Sequence, residues 1–178
     1  MKNNLFKYSI LFLIISLFIQ TAKTQEVVKE KAFKHGIGAG IGYTTGYGLS
    51  YKYSPNLLAV QVNFAPYHNN ELDRYSVGVT LMYTLVKNNL SSLFIYQGNH
   101  FYYNSEMVTI YETDPNKPYN PNPPKQRVTD QYFNNGVGFG VDVTIAKRIS
   151  FNLMAGYAFY NNFKQINLTG ETALHYKF

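Results

Sequence analysis

His100, Ser105 and Glu106 are a base, a hydroxyl and an acid within seven residues of one another, the residue types of a hydrolytic site. Nucleophilic catalysis needs the imidazole within hydrogen-bond reach of the hydroxyl. On a strand, residues five apart face opposite sides, so the spacing does not by itself fix that contact. A second set, Lys52, Arg74, Asp142, Glu171, His175 and Lys177, carries charge or a titratable ring at positions that alternate with apolar ones. Enclosed in a narrow interior, ions of this kind must pair, because an isolated buried charge is costly. His35, His68 and His175 show no metal-ligand spacing. The glycines at every second position of Gly36–Gly42 form a strand pattern and not a dinucleotide loop, so neither a metal nor a cofactor is expected.

The elements that must position these residues are strands. Leu168, Gly170, Thr172, Leu174, Tyr176 and Phe178 share one face of the last segment, against Thr169, Glu171, Ala173, His175 and Lys177 on the other. This period of two recurs about eight times from His35 onward. An apolar outside and a polar inside, in segments of about ten residues, predict an all-β, eight-stranded antiparallel up-and-down transmembrane barrel over residues 35–178. Strand 5, about Leu90–Tyr103, is ambiguous, since Leu93/Ile95 and Phe94/Tyr96 compete. The reading taken places Ser92, Phe94, Tyr96 and Gly98 outward.

Residues 1–24 read as a cleaved signal peptide: Lys2 and Lys7, an apolar run over Tyr8–Ile19, then Ala22-Lys23-Thr24. Residues 25–34 read as a polar periplasmic lead-in. Without the first 24 residues, 13 basic side chains face 10 acidic ones, a net charge of +3. That is too weak and too scattered for nucleic acid. The chain has no cysteine, so stability must come from the backbone ladder and burial.

Connections at 54–56, 87–89 and 146–148 are short, as periplasmic turns are, whereas 67–73, 104–130 and 160–167 read as external loops. The first connection, around Thr44-Thr45, is short as well. Within 104–130, Glu106–Thr113 still alternates and Gln126–Asn135 can return beside it. The tip between them carries Asp114, Pro115, Pro118, Tyr119, Pro121, Pro123 and Pro124, a composition that favours extended backbone and cannot continue a ladder. A hairpin rising beyond the membrane could bind a protein partner by strand addition or through its tip.

Ten of the 13 glycines fall on the inward phase, as the narrow lumen of eight strands requires. The chain resembles the small Gram-negative outer-membrane barrels of the OmpA/OmpX type, most specifically in its terminal Leu174-x-Tyr176-x-Phe178; its Tyr and Asn richness is similar to barrels of Bacteroidota. The resemblance implies outer-membrane residence among lipid and recognition of Leu174, Tyr176 and Phe178 by the barrel-assembly machinery. It also implies that His, Ser and an acid at a barrel rim can act as a lipid deacylase. The expected role is non-enzymatic, structural or surface contact, with membership of an outer-membrane complex as one form of it. Lipid modification and a narrow solute channel are the alternatives.

Overall fold

The computed structural model describes residues 33–110 and 123–178. The expected signal peptide and nearly all of the lead-in therefore lie outside the described residues. So do Asp114, Pro115, Pro118, Tyr119 and Pro121 of the loop tip.

Eight strands run β1 (His35–Ile41), β2 (Gly48–Tyr53), β3 (Leu58–His68), β4 (Leu72–Lys87), β5 (Ser91–Thr109), β6 (Lys125–Ala146), β7 (Ile149–Tyr160) and β8 (Gln165–Lys177). Each pairs antiparallel with its neighbour in sequence, and β1 pairs with β8 to close the barrel. Chain order and spatial order coincide, so the fold is an up-and-down barrel. Closure is sealed at the inner end, where His35 and Phe178 exchange backbone hydrogen bonds of 3.3 and 2.9 Å and their rings stack.

The alternation sorts by chemistry. On β3, Val60, Val62 and Phe64 are exposed to the outside, while Gln61 and Asn63 are buried in the lumen. The same split on the other strands leaves a continuous outer band that includes Leu49, Leu81, Phe139, Leu153, Leu168 and Leu174. Only a closed barrel or a helix satisfies its backbone in lipid, and an apolar band of this extent belongs there.

Strand 5 runs in the opposite phase to that expected. Phe94 and Tyr96 are 2% and 3% exposed and point into the lumen, with Ser92 and Gly98, while Leu93 and Ile95 face outward. The reason is local space. Phe94 pairs across from Gly140 and Tyr96 across from Gly138, and a methyl on Gly140 would sit 2.4 Å from the Phe94 ring. Large rings fill the room that β6 leaves empty, forming with Ala59, Met82 and Met154 a small apolar core inside the barrel.

The inner connections are tight, but so are the outer turns at 69–71 and 161–164. Asn69 closes the first by accepting the N–H groups of Glu71 and Leu72 at 2.9 and 2.6 Å. Asn161, Asn162 and Phe163 all take positive φ in the second. The asymmetry between the two ends lies in strand length. β1 and β2 have 7 and 6 residues, β5 and β6 have 19 and 22, whereas about 9–11 residues span a bilayer.

Candidate functional site

The short strands free a segment that the sequence reads as a plain turn. Residues 42–47 fold into the lumen, where Thr44 and Thr45 are completely buried. A chain segment inside a barrel brings backbone groups that must be satisfied, and lumen side chains satisfy them. The Thr44 N–H donates to Glu171 Oε1 at 3.1 Å, and the Thr44 hydroxyl donates to the same oxygen. Asn63 Nδ2 donates to the carbonyls of Thr45 and Gly46 at 2.9 and 3.2 Å. His100 Nδ1 and Asn134 Nδ2 both donate to the Tyr43 carbonyl, at 2.9 and 3.0 Å. The Tyr47 N–H donates to Ser76 Oγ at 3.2 Å.

Glycine makes the room. A methyl on Gly78 would lie 1.7 Å from the Thr45 carbonyl oxygen, one on Gly98 2.7 Å from that of Thr44, and one on Gly136 2.7 Å from Thr44 Oγ1. These three glycines belong to β4, β5 and β6, and Gly98 pairs directly with Gly136. Gly46 takes a φ of 74° to turn the plug, a region costly for residues with a Cβ. Outward of the plug, Tyr102 and Tyr132 stack with centroids 4.6 Å apart, and Tyr47 packs edge-on against His100.

The expected charge network forms in part. Lys52 Nζ lies 2.8 Å from Asp142 Oδ2, and Lys177 Nζ 3.4 Å from Asp142 Oδ1. All three sit at the inner end. Glu171 is not part of it, because its carboxylate holds the plug and accepts the Thr169 hydroxyl at 3.1 Å. His175 accepts or donates to Ser50 at 2.8 Å. Arg74 lies toward the outer end and donates to Asn104 Oδ1 at 3.0 Å.

The set His100, Ser105 and Glu106 does not assemble. Ser105 is hydrogen bonded to Thr129 at 3.1 Å and Glu106 is exposed, while five residues of strand separate Ser105 from His100 by roughly 17 Å. The serine that meets His100 is Ser76, at 3.0 Å from Nε2. With Nδ1 donating to the Tyr43 carbonyl, Nε2 must accept the Ser76 proton, which is the tautomer a nucleophile–base pair uses. Ser76 is fully buried beneath the plug, however, and already accepts the Tyr47 N–H. As it stands, the pair anchors a loop.

Where β1 and β2 stop, the wall is notched. β1 meets β8 only as far as Ile41↔Thr172, and β2 meets β3 only as far as Leu49↔Phe64. A groove of about 680 Å³ opens there, lined by Ile41, Leu153 and Gly170 from the outer face and by Tyr47, Tyr132 and Glu171 from within. Tyr160 serves one group of the uncovered β8 edge, its hydroxyl donating to the Leu168 carbonyl at 3.3 Å.

Opposite the notch, β5 and β6 remain paired up to Thr109↔Lys125, so the strands run well into the segment read as an external loop. Pro124 accepts the Ile110 N–H at 3.0 Å, and Pro123 lies beside it at the foot of β6. The hairpin base is tied to the β3–β4 turn. Lys125 bonds Glu71 at 2.6 Å, Arg127 bonds Asp73 at 2.8 Å, and His68 also bonds Asp73. The His68 hydrogen bond holds the Asp73 carboxyl below its ordinary value, and Lys125 does the same for Glu71. β6 pairs with β7 only as far as Asn135↔Phe159; among the described residues, Lys125–Tyr132 has no strand on that side. At the other end of the chain, Leu174, Tyr176 and Phe178 face outward, and Arg148 donates to the Tyr176 hydroxyl at 2.8 Å.

The chain matches no protein-family model and no curated protein. Two solved structures are similar in architecture. The N-terminal β-barrel domain of Pseudomonas aeruginosa OprF has a TM-score of 0.48 at 10% identity, over 81% of this chain and 95% of that one. Neisserial surface protein A (NspA) has a TM-score of 0.41 at 16% identity, over 81% and 93%. The fold itself stands on the closed strand order and register described above.

Proposed function

We propose that the chain is a non-enzymatic outer-membrane barrel of a Gram-negative bacterium, which sits in lipid by its apolar band and contacts a protein partner through the projecting β5–β6 hairpin. The observation that carries this reading is the free β6 edge, Lys125–Tyr132, held above the barrel by its register with β5. An uncovered edge is a template for strand addition. Phe133 exchanges both its N–H and its C=O with Asn162 on the β7 side, so alternation directs the N–H groups of Gln131 and Thr129 to the same free side. Gln131→Pro removes one of them without touching the β5 ladder. Proteins recovered with the tagged barrel from detergent-solubilised membranes should lose the partner in Gln131→Pro, and also when Asp114–Pro124 is replaced by a short glycine-serine linker. An unchanged set of recovered proteins in both would remove the hairpin from the account.

The notch favours a second reading, lipid handling, because an apolar groove there is continuous with the lipid-facing band. Incubation with purified outer-membrane lipid followed by mass spectrometry tests it, with Ser76→Ala and Ser105→Ala as controls. Acyl loss that depends on Ser76 would replace the non-enzymatic reading. The solute-channel reading is the weakest, since plug, aromatic rings and charge network together occupy the lumen; stable single-channel conductance would revive it.

A further inference from the structure

We propose that the inner mouth of the barrel is a binding site for a small oxyanion, with phosphate as its chemical type. This goes beyond the partner contact and is independent of it, since the two lie at opposite ends of the barrel. A cavity of about 100 Å³ opens at the inner end, bounded by Lys52, Asp142, Ser150, His175 and Lys177. Lys34 and Lys87 stand at its mouth. Asp142 is the one carboxylate among the described residues that line it. It is shared between the buried Lys52 at 2.8 Å and the partly exposed Lys177 at 3.4 Å, so one carboxylate faces two ammonium groups, and the two outer lysines add to the excess. Such a surplus in an enclosed site is costly unless an anion offsets it.

Two buried polar atoms give the same answer independently. Ser150 Oγ and His175 Nδ1 have no hydrogen-bond partner among the described residues. Ser150 is fully buried, His175 is 1% exposed, and they are direct cross-strand neighbours lining this cavity. When Ser50 donates its hydroxyl proton to Nε2, at 2.8 Å, Nδ1 carries the ring proton and becomes a donor. A serine hydroxyl and an imidazole N–H side by side, beneath two ammonium groups, form a donor set with nothing to receive it. Buried donors left in that condition are unfavourable. The volume accommodates a few waters or one tetrahedral anion, and charge-assisted hydrogen bonds favour the anion. The phosphate could be free or could belong to the headgroup of an inner-leaflet lipid.

The test uses the full barrel, first in a phosphate-free sugar detergent titrated with inorganic phosphate, then in bicelles containing phosphatidylglycerol. The readout is the nitrogen chemical shift of the His175 ring and the Ser150 amide. A saturable shift with inorganic phosphate supports a free anion; a shift in the bicelles alone supports the headgroup as the source. Ser150→Ala removes no internal hydrogen bond, so it should fold and should weaken binding about fivefold, as for one lost hydrogen bond. Lys87→Gln at the exposed mouth should weaken it about twofold. No saturable shift in either medium would overturn the proposal, as would wild-type affinity in both variants. Neither result bears on the hairpin, whose test reads a different end of the molecule.

Discussion

β1 and β2 stop after 7 and 6 residues, and the chain between them turns inward; β5 and β6 run on for 19 and 22, and the chain between them is carried away from the barrel. Both pairs obey the same alternation, with polar residues toward the lumen. What separates them is where their backbone finds partners once the ladder ends. The 42–47 segment is satisfied by Glu171, Asn63, His100, Asn134 and Ser76 inside the lumen. The β5–β6 extension pairs within itself, leaves the outer edge of β6 free, and is tied to the β3–β4 turn at Glu71 and Asp73. One side of the barrel is thus committed to closing it, and the other is free of the closed body.

The comparison can be broken first at the plug. Gly78→Ala places a methyl 1.7 Å from the Thr45 carbonyl, so the plug must withdraw and lose its lumen hydrogen bonds. A loss of about 3 kcal/mol is expected in denaturant unfolding in detergent, at the upper end for overpacked sites. Gly170→Ala, facing open space, should unfold like the wild type. Equal stability of the two variants would mean that the glycine bed holds nothing. Next, Asp142→Asn leaves Lys52 and Lys177 without their shared carboxylate and should cost about 3 kcal/mol by the same assay, less if an anion compensates.

Glu171→Gln sharpens the picture further. It weakens two hydrogen bonds to Thr44, with an expected cost of about 1–2 kcal/mol and faster exchange of the Thr44 amide. On the opposite side, replacing residues 107–127 with a short glycine-serine linker should leave unfolding within about 1 kcal/mol of the wild type, because the hairpin adds nothing to closure. A larger loss would show that the hairpin supports the barrel.

The smallest effect is in pH. Asp73 and Glu71 have carboxyl groups held below their ordinary values in the fold by His68 and Lys125. Their contribution is therefore complete above the ordinary carboxylate value of about 4 and disappears as pH falls through the depressed folded values. Exchange at Met107, whose N–H is bonded to the Glu71 carbonyl at 2.9 Å, should quicken below that point while the plug amides stay protected.

The barrel was legible in the sequence because a period of two with one lipid-facing side leaves few alternatives, and strands such as β3 and β8 alternate without ambiguity. Strand 5 was misleading because both faces are apolar there. The rule that apolar residues face outward fails where glycines on β6 leave a lumen wide enough for Phe94 and Tyr96. The plug was hidden for another reason: Thr44-Thr45-Gly46 has the composition of a turn. The signal that could have revealed it lay elsewhere, in Gly78, Gly98 and Gly136 on three adjacent strands, a bed bare of side chains. Reading Gly98 as outward concealed that bed. His100 was read as a candidate base beside Ser105 and Glu106, but the serine it meets, Ser76, is 24 residues away in sequence and becomes a neighbour only through the β4–β5 register.

The most direct measurement is residue-resolved amide exchange on the folded barrel, comparing Thr44 and Tyr47 with the strand amides on one hand and with the 161–164 turn on the other. An inward-folded plug predicts that Thr44 and Tyr47 exchange as slowly as β3 and β8. Exchange as fast as in the 161–164 turn would contradict a filled lumen.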